Sequence, residues 1–134
     1  MLQFYSGMIS EYKAAQFFTE IGWRVYWCFE SQSKDDFIIN KGNIFKKVQV
    51  KTATWSRSGK YKYLQCRVSN RNRYPNPKYV VEDFDLIVFI DGDNIWIADI
   101  TEILGMNSVA LMSTNPKPKT SIKRYNPDNW KIER

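Results

Sequence analysis

The chain has 134 residues, enough for one domain with a single core, and 43% of them are hydrophobic, which excludes a disordered protein. It contains no histidine, so serine–histidine and cysteine–histidine nucleophiles, imidazole zinc sites and histidine-base nucleases are excluded. The net charge is +6, and no apolar run approaches the ~20 residues of a membrane span. The two cysteines lack metal-ligand spacing and are expected to be reduced core thiols. With no signal-peptide pattern, we expect an intracellular, cytoplasmic protein.

The first predicted element is a helix over residues 8–21, which Ser6 caps and Gly22 ends. At 3.6 residues per turn, Glu11 shares a stripe with Phe18, on the face that should pack inward. A buried ionised carboxylate is costly unless it has a partner, a cation or water. Glu11 is therefore a candidate site residue, and a helix-edge glutamate that reaches water is the alternative.

Short strands dominate the rest of the chain. We predict strands at 23–29, 36–40, 44–54, 61–69, 85–90, 95–100 and 109–112, a short helix at 101–104, and loops at 56–60 and 70–78. This order predicts an α/β (α+β) fold with a central mixed β-sheet flanked by helices. We expect one domain over 1–134, with a core over about 6–104 and a basic C-terminal extension over about 105–134, which Trp130 could anchor.

The charge of the chain is unevenly distributed. Residues 37–81 contain no acidic residue and eleven basic ones, whereas the remaining residues carry nine basic and fourteen acidic groups. A basic segment in an acidic background, interleaved with aromatic and polar side chains, favours a nucleic-acid partner. The alternative is a solvated basic surface.

Four polar residues stand out against the predicted strands and helix. Asp36 opens the second strand, while Gln49 and Lys51 lie on one face late in the third. A tight turn joins these strands, so antiparallel pairing brings the three to one end of the sheet, where the first helix can deliver Glu11. Oxygen ligands of this kind suit Mg²⁺, with the Val50 carbonyl as a further ligand. Alternatively, Gln49 and Lys51 are only the solvent face of an amphipathic strand.

The segments "SKDDFII" and "KVQVKTATW" resemble the PD-(D/E)XK nucleases, and most closely the group I intron-associated homing endonucleases of cyanobacterial type. The similarity extends through "GMISEYKAAQFFTEIGWRVY" and "YVVEDFDLIVFIDGDNIWIADI", so it covers most of the chain up to about Ile103. The resemblance implies a restriction-endonuclease-like core, a mixed sheet flanked by helices, with a metal-dependent phosphodiesterase site. The expected cofactor is Mg²⁺, for which Mn²⁺ can substitute.

The resemblance also implies roles for individual residues. Asp36 matches the motif aspartate and Lys51 the motif lysine. Gln49 occupies the (D/E) position, and Glu11 matches the glutamate of the first helix. Two positions depart from the pattern: Asp35 replaces the motif proline, and Gln49 replaces an acid that would bind metal more strongly. Related homing enzymes also carry glutamine there, so the resemblance still implies an active site.

The expected substrate is double-stranded DNA, contacted by the basic loops. The candidate DNA-binding residues are Arg57, Lys60, Lys62, Arg67, Asn70, Arg71, Asn72, Arg73 and Lys78. One small domain covers few base pairs, and related homing enzymes are tetramers. We therefore expect a homo-oligomer, dimer or tetramer, built by the strands at 84–90 and 95–100 or by the C-terminal segment.

Three functions fit these observations. The favoured one is a site-specific, divalent-metal-dependent double-strand DNA endonuclease of homing or restriction type, from a bacterial or phage setting. A structure-specific nuclease such as a Holliday-junction resolvase would use the same chemistry. A catalytically inactive DNA-binding protein is the third, and Gln49 is the reason to consider it.

Overall fold

The computed structural model describes residues 2–30, 35–69, 78–115 and 127–133. One long helix opens the chain, and most of the elements after it are short strands. In chain order the elements are α1 (Leu2–Glu20), β1 (Arg24–Trp27), β2 (Phe37–Lys41), β3 (Ile44–Thr52), β4 (Thr54–Ser58), β5 (Tyr61–Arg67), β6 (Leu86–Asp91), β7 (Asn94–Asp99), α2 (Ile100–Ile103), β8 (Ser108–Ser113), a 3₁₀ helix (Pro127–Trp130) and β9 (Lys131–Ile132).

Helix α1 is longer than predicted, because it starts at Leu2 and runs through Ser6 instead of being capped by it. A serine within a helix costs only a fraction of a kcal/mol, which the added backbone hydrogen bonds offset. The predicted end is confirmed. Gly22 has φ 96°, its N–H donates to the Thr19 carbonyl, and the Trp23 N–H donates to the Phe18 carbonyl. This pair of bonds is a Schellman motif, and it turns the chain directly into β1.

The central sheet has six strands in the order β1-β2-β3-β6-β7-β9. Strands β3 and β6 are parallel and the other neighbours are antiparallel, so the predicted mixed sheet is confirmed. Asp85 fixes the parallel pair: its Oδ2 accepts from the Lys47 N–H at 2.7 Å, and its own N–H donates to the Lys47 carbonyl at 2.9 Å. Strand β3 is thereby held between β2 and β6, in the middle of the sheet.

A second sheet of three strands, β4-β5-β8, was not predicted. The prediction of a loop over 56–60 is wrong for its first half, since Thr54–Ser58 forms β4 and pairs with β5 around a Gly59-Lys60 turn. The serine-rich segment has no alternation of apolar residues, so pairing with β5 decides its structure. Strand β3 accordingly ends at Thr52, two residues earlier than expected.

Two hydrophobic clusters give the molecule three layers. One lies between α1 and the central sheet and includes Phe18, Phe37 and Val48. The other lies between the two sheets and includes Leu64 and Phe89. The apolar residues of β6 are buried in these clusters, and both edges of that strand are paired. Strands β6 and β7 therefore belong to the monomer core, and the subunit interface that the sequence suggested there stays a prediction.

The C-terminal part of the chain contributes to both sheets. Strand β8 pairs with β5, and β9 pairs with β7. Trp130 is buried and stacks on Phe89 at 6.3 Å between ring centroids, which confirms its predicted role as an anchor. Both cysteines are free thiols, Cys66 buried in the core and Cys28 half-buried beside β1. Among the described residues, no helix has the length and apolar character that a bilayer crossing requires.

Candidate active site

Glu11 reaches the central sheet because the neighbouring positions of α1 are buried against it. Ala14, Ala15 and Phe18 pack on the sheet, as the predicted stripe requires. Ser10 precedes Glu11 and is 3% exposed, and its hydroxyl shares a hydrogen bond of 2.7 Å with the hydroxyl of Thr52 on β3. This bond fixes the axial position of α1 relative to β3, and so the height at which Glu11 meets the sheet.

Asp36 lies where β2 and β3 cease to pair. Its backbone N–H donates to the Val48 carbonyl at 2.7 Å, which continues the antiparallel ladder by one residue. Its Oδ2 then accepts from the Val50 N–H at 2.7 Å. The carboxyl group therefore replaces the strand partner that Val50 would otherwise have. Asp36 is held by two backbone contacts with β3 before any ligand binds.

The carboxyl groups of Glu11 and Asp36 form a hydrogen-bonded pair. Burial, the negative charge of Asp36 and this hydrogen bond raise the pKa of Glu11 from 4.5 to about 7. Burial also raises the pKa of Asp36, although the Val50 N–H, the Glu11 hydrogen bond and the Lys51 charge act in the opposite direction. Two like charges this close favour retention of one proton. The pair therefore shares a proton near neutral pH, in a position that a cation can take.

Gln49 and Lys51 lie on the face of β3 opposite the buried Val48 and Val50. The Gln49 Nε2 donates to the carbonyl of Val50 at 3.2 Å, so its amide lies beside a backbone oxygen. The positive charge of Lys51 acts on Asp36, whose pKa it lowers. All four predicted residues therefore lie around the end of β3, as the antiparallel hairpin predicted. The register Phe37↔Val48 supplies this proximity.

The atoms that this site offers to a metal ion are carboxylate, backbone carbonyl and side-chain amide oxygens. Within the described ranges, no three His, Cys, Asp or Glu side chains come together. A metal at this site would therefore bind the carboxylates of Glu11 and Asp36, the carbonyl of Val50 and the side-chain oxygen of Gln49. Such hard ligands fit Mg²⁺ or Mn²⁺, which retain waters in their remaining positions.

Comparison with known proteins decides the family. The sequence model of the family described as "PD-(D/E)XK endonuclease" matches residues 1–128. This chain belongs to the PD-(D/E)XK endonuclease family. It is 32% identical to Protein 5.3 of Escherichia phage T7 over 110 residues, which cover 82% of this chain and 91% of that protein. The structure of the bacterial homing endonuclease I-Ssp6803I superposes with a TM-score of 0.76 over 95% of this chain and 86% of that chain. At 17% identity, this last likeness is one of fold.

These findings confirm the resemblance and the restriction-endonuclease-like fold expected from the sequence, and they make the chain a nuclease. Of the residues predicted to match the motif of this PD-(D/E)XK endonuclease, Asp36 lies just before β2, and Gln49 and Lys51 lie on β3. The predicted additional glutamate, Glu11, lies on α1. The motif proline is replaced by Asp35, whose negative charge further raises the pKa of Asp36. The departure from the family pattern therefore adds negative charge next to the candidate metal site.

The predicted DNA-contacting residues of the endonuclease fall into two groups. Arg57, Lys60 and Lys62 are exposed on the β4–β5 hairpin, and Lys60 lies over the Tyr61 ring at 5.2 Å. Arg67 and Lys78 form the second group, close to the antiparallel bridge between Ser69 and Lys78. Arg67 is exposed, and its Nε donates to the Ser69 hydroxyl at 3.1 Å. Outside the described residues lie Asn70, Arg71, Asn72 and Arg73.

The structure adds residues that sequence reasoning missed. Ser10 and Thr52 lock α1 to β3, and Asp85 fixes the β3–β6 register. A cavity of about 570 Å³ on the hairpin is lined by Trp55, Ser56, Arg57, Lys62 and Thr114. For Ser10 a signal was present in the sequence, because a hydroxyl on the inward face of a helix needs a partner. The cavity had none, since it depends on the unpredicted pairing of β4.

Proposed function

We propose that this chain is a site-specific, divalent-metal-dependent endonuclease of homing type that hydrolyses phosphodiester bonds in double-stranded DNA. The observation that carries the proposal is the hydrogen-bonded carboxyl pair Glu11–Asp36, held beside the positive charge of Lys51. A purely structural strand end has no use for two partly buried acids with raised pKa values. A nuclease uses them to bind a cation at the scissile phosphate.

The proposed cofactor is Mg²⁺, which Mn²⁺ can replace. Asp36 would be the central ligand, with Glu11 bound directly or through water. Rotation of the Gln49 amide would place its oxygen beside the carbonyl of Val50, in place of the Nε2 contact now present. A bound Mg²⁺ would polarise the phosphate and lower the pKa of a coordinated water. The role of the chain is to present these oxygens in a partly buried site.

Lys51 is the proposed catalytic cation. Its charge acts on Asp36, and it lies on the face of β3 opposite the buried valines, so its ammonium group would lie close to a phosphate held at Asp36. It would orient the attacking water or take its proton, and offset the negative charge that develops on the phosphoryl oxygens. Attack at phosphorus forms one P–O bond as the bond to the leaving sugar oxygen breaks.

The proposed DNA surface is the basic hairpin, which begins one residue after β3 ends. Arg57, Lys60 and Lys62 would contact phosphates. The proposed contacts with base edges are those of Arg67, Asn70, Arg71, Asn72 and Arg73. Cleavage of both strands at one site requires at least two active sites, so the functional form is a homo-oligomer, dimer or tetramer. Because the T7 relative is a phage protein, we propose an intracellular bacterial or phage setting.

The test is a cleavage assay in Mg²⁺ or Mn²⁺ on a library of random duplex DNA, with sequencing of the cut ends. We expect double-strand cuts at a defined site. Asp36→Asn and Lys51→Ala should abolish cutting and retain DNA binding. Asp93→Asn and Lys13→Ala, which change an exposed turn and a distant helix position, serve as charge-matched controls and should cut normally.

Two outcomes would contradict the proposal. Cutting of four-way junctions in preference to linear duplex would favour a structure-specific nuclease. A protein that binds DNA but never nicks it with either metal would favour the third function, a catalytically inactive DNA-binding protein with glutamine in place of the motif acid.

A further inference from the structure

We propose that β1 is the subunit interface of a two-fold dimer, in which it pairs antiparallel with β1 of a second copy. The two central sheets then form one continuous sheet. This inference specifies the oligomer of the proposed function, but the pairing itself does not depend on nuclease chemistry. It arises from the open edge of the central sheet, the aromatic side chains on that edge, and the charges at its ends.

The outer edge of β1 has unused hydrogen-bonding groups. β1 is the first strand of the sheet, and no described strand pairs with its outer side. The Cys28 N–H points inward, because it donates to the Asp36 carbonyl. Backbone groups alternate along an antiparallel strand, so those of Val25 and Trp27 point outward. Residues 28–30 lie beyond β1, and in the dimer they would extend it, which would turn the backbone groups of Phe29 to the same side. Exposed edges of this kind are normally shortened, charged or covered.

The same edge exposes several aromatic side chains. Phe29 is 99% exposed, Tyr26 48% and Trp27 42%. Tyr12 of α1 is 60% exposed and packs edge-to-face on Trp27, with 5.4 Å between ring centroids. Tyr12, Tyr26 and Trp27 are among the residues that line a groove of about 630 Å³ between α1 and β1. Exposed aromatic side chains along the open edge of a strand are typical of a protein–protein interface.

The charge of this region argues against DNA as the occupant. Residues 8–30 contain two basic and three acidic residues, in contrast with the acid-free segment 37–81. A polyanion would gain little from such a surface. A protein strand with a matching pattern of apolar and charged residues could bury the aromatic side chains and form ion pairs with the charged ones. A second copy of this chain has that pattern.

Charge complementarity selects one register. Pairing through the outward groups allows Trp27 to lie opposite Trp27 of the second copy, with Val25 opposite Phe29. In this register Arg24 lies opposite Glu30, twice per dimer, and both are exposed in the monomer. A shift by two residues in either direction loses both ion pairs. The register centred on Trp27 therefore places unlike charges at both ends and aromatic rings at the two-fold axis.

This dimer would place the two active sites at a useful distance. The axis passes between the two β1 strands, perpendicular to the sheet, so both copies of α1 would lie on the same face. Each candidate site lies between β2 and β3, near the level of Cys28. With strands about 4.8 Å apart, the two sites would be about 20 Å apart. That separation is comparable with the width of a DNA duplex, so each site would reach a different strand.

The first test measures mass by analytical ultracentrifugation of the full chain without DNA or metal. We expect a dimer for the unmodified protein. Arg24→Glu and Glu30→Arg should each raise the dissociation constant at least about tenfold, since each places like charges opposite one another at both ends. The double variant should restore the dimer. A monomeric unmodified protein, or single reversals that leave the dimer intact, would overturn the proposal.

The second test reads the register directly. Tyr26→Cys places a thiol opposite Cys28 of the second copy, in a non-hydrogen-bonded pair with the spacing that a disulfide needs. It should give a covalent dimer on a non-reducing gel after mild oxidation. Arg24→Cys is the matched control, because it faces Cys28 only if the register shifts by two, and it should remain uncrosslinked. Crosslinking of Arg24→Cys alone would exclude the register, and absence of both would exclude the pairing.

The outcome is distinguishable from failure of the nuclease proposal. Lys51→Ala should dimerise like the unmodified protein although it does not cut. Arg24→Glu should retain folding, measured by thermal unfolding, and single-strand nicking. A chain that dimerises as described but never cuts DNA would retain this inference and contradict only the proposed activity.

Discussion

The Oδ2 atom of Asp36 accepts a 2.7 Å hydrogen bond from the N–H of Val50, the residue between Gln49 and Lys51. The Asp36 carboxyl is therefore tied to the backbone of the Gln49–Lys51 segment. This bond, and not side-chain packing, sets the distance between the two parts of the motif. A backbone N–H keeps its position when neighbouring side chains change. The bond thus explains how the site can retain its geometry with an amide at Gln49 and without the usual proline before Asp36.

The raised pKa of Glu11 predicts how stability depends on pH without metal. The folded-state pKa is about 7, above the ordinary 4.5. Below pH 4.5 the carboxyl is protonated in both states, and the stabilisation is fully present. Between about 4.5 and 7 the unfolded chain releases the proton that the folded chain keeps, so stability falls as pH rises. Glu11→Gln should reduce this slope in thermal unfolding measured across that range, whereas the exposed Glu20→Gln should retain it.

Metal binding should have the opposite pH dependence. The proton shared by Glu11 and Asp36 must leave before a divalent cation binds, so affinity for Mg²⁺ or Mn²⁺ should rise as pH increases through about 7. Glu11→Gln should weaken binding by about 10- to 100-fold and flatten this dependence. Calorimetric titration with Mn²⁺ at pH 6 and pH 8 measures both effects. Equal affinities at the two pH values would contradict the shared-proton arrangement.

The Ser10–Thr52 bond predicts a non-additive pair of variants. Ser10→Ala or Thr52→Val alone leaves a buried hydroxyl without this partner, and each should cost about 1–3 kcal/mol of unfolding free energy. The double variant should cost less than the sum of the two, because neither hydroxyl remains. Urea unfolding of all four proteins measures the coupling. Strict additivity would show that the bond contributes nothing to stability.

The basic side chains of the β4–β5 hairpin should determine how DNA binding depends on salt concentration. Arg57→Ala and Lys62→Ala should each weaken binding and lower the slope of log affinity against log salt by about 0.9, if each contacts one phosphate. Stability should change little, because both side chains are exposed. Lys13→Ala, on α1, is the control and should retain the full slope in fluorescence anisotropy. Unchanged slopes for both hairpin variants would remove the hairpin from the DNA surface.

From the burial of Trp130 we predict that the C-terminal residues around it are required for stability. Its buried ring stacks on Phe89 of β6, and β9 follows it directly in the chain. Trp130→Ala should lower the free energy of unfolding by about 3–5 kcal/mol, the usual cost of removing a large buried aromatic. Trp55→Ala removes a ring that is 46% exposed, and it should cost much less. Denaturant midpoints of the two variants make the comparison.

Local periodicity predicted much of this site. The 3.6-residue repeat placed Glu11 inward, and the alternation of β3 placed Gln49 and Lys51 together. The short turn after β2 then brought Asp36 to the same end, as its hydrogen bond with Val50 shows. Each of these inferences needs only neighbouring residues, whose geometry follows from one helix and one hairpin.

What sequence reasoning missed depends on distant contacts. Thr54–Ser58 is a strand because of its partner in β5, and its polar residues give no periodic signal. Ser10 and Thr52 are 42 residues apart, and nothing in either neighbourhood specifies the other. The layer formed by β4, β5 and β8 likewise joins segments separated by the whole of β6 and β7. Such pairings are decided by the packed core as a whole.

Ala53 is the only residue between the end of β3 and the start of β4. It is buried, and its N–H donates to the Ile90 carbonyl, so the junction is rigid. If the hairpin binds DNA as proposed, the phosphates that it contacts and the phosphate at Lys51 are measured from one fixed point. Substitutions in the hairpin would then change how tightly DNA binds, while the offset between the bound phosphates and the cut would be inherited unchanged.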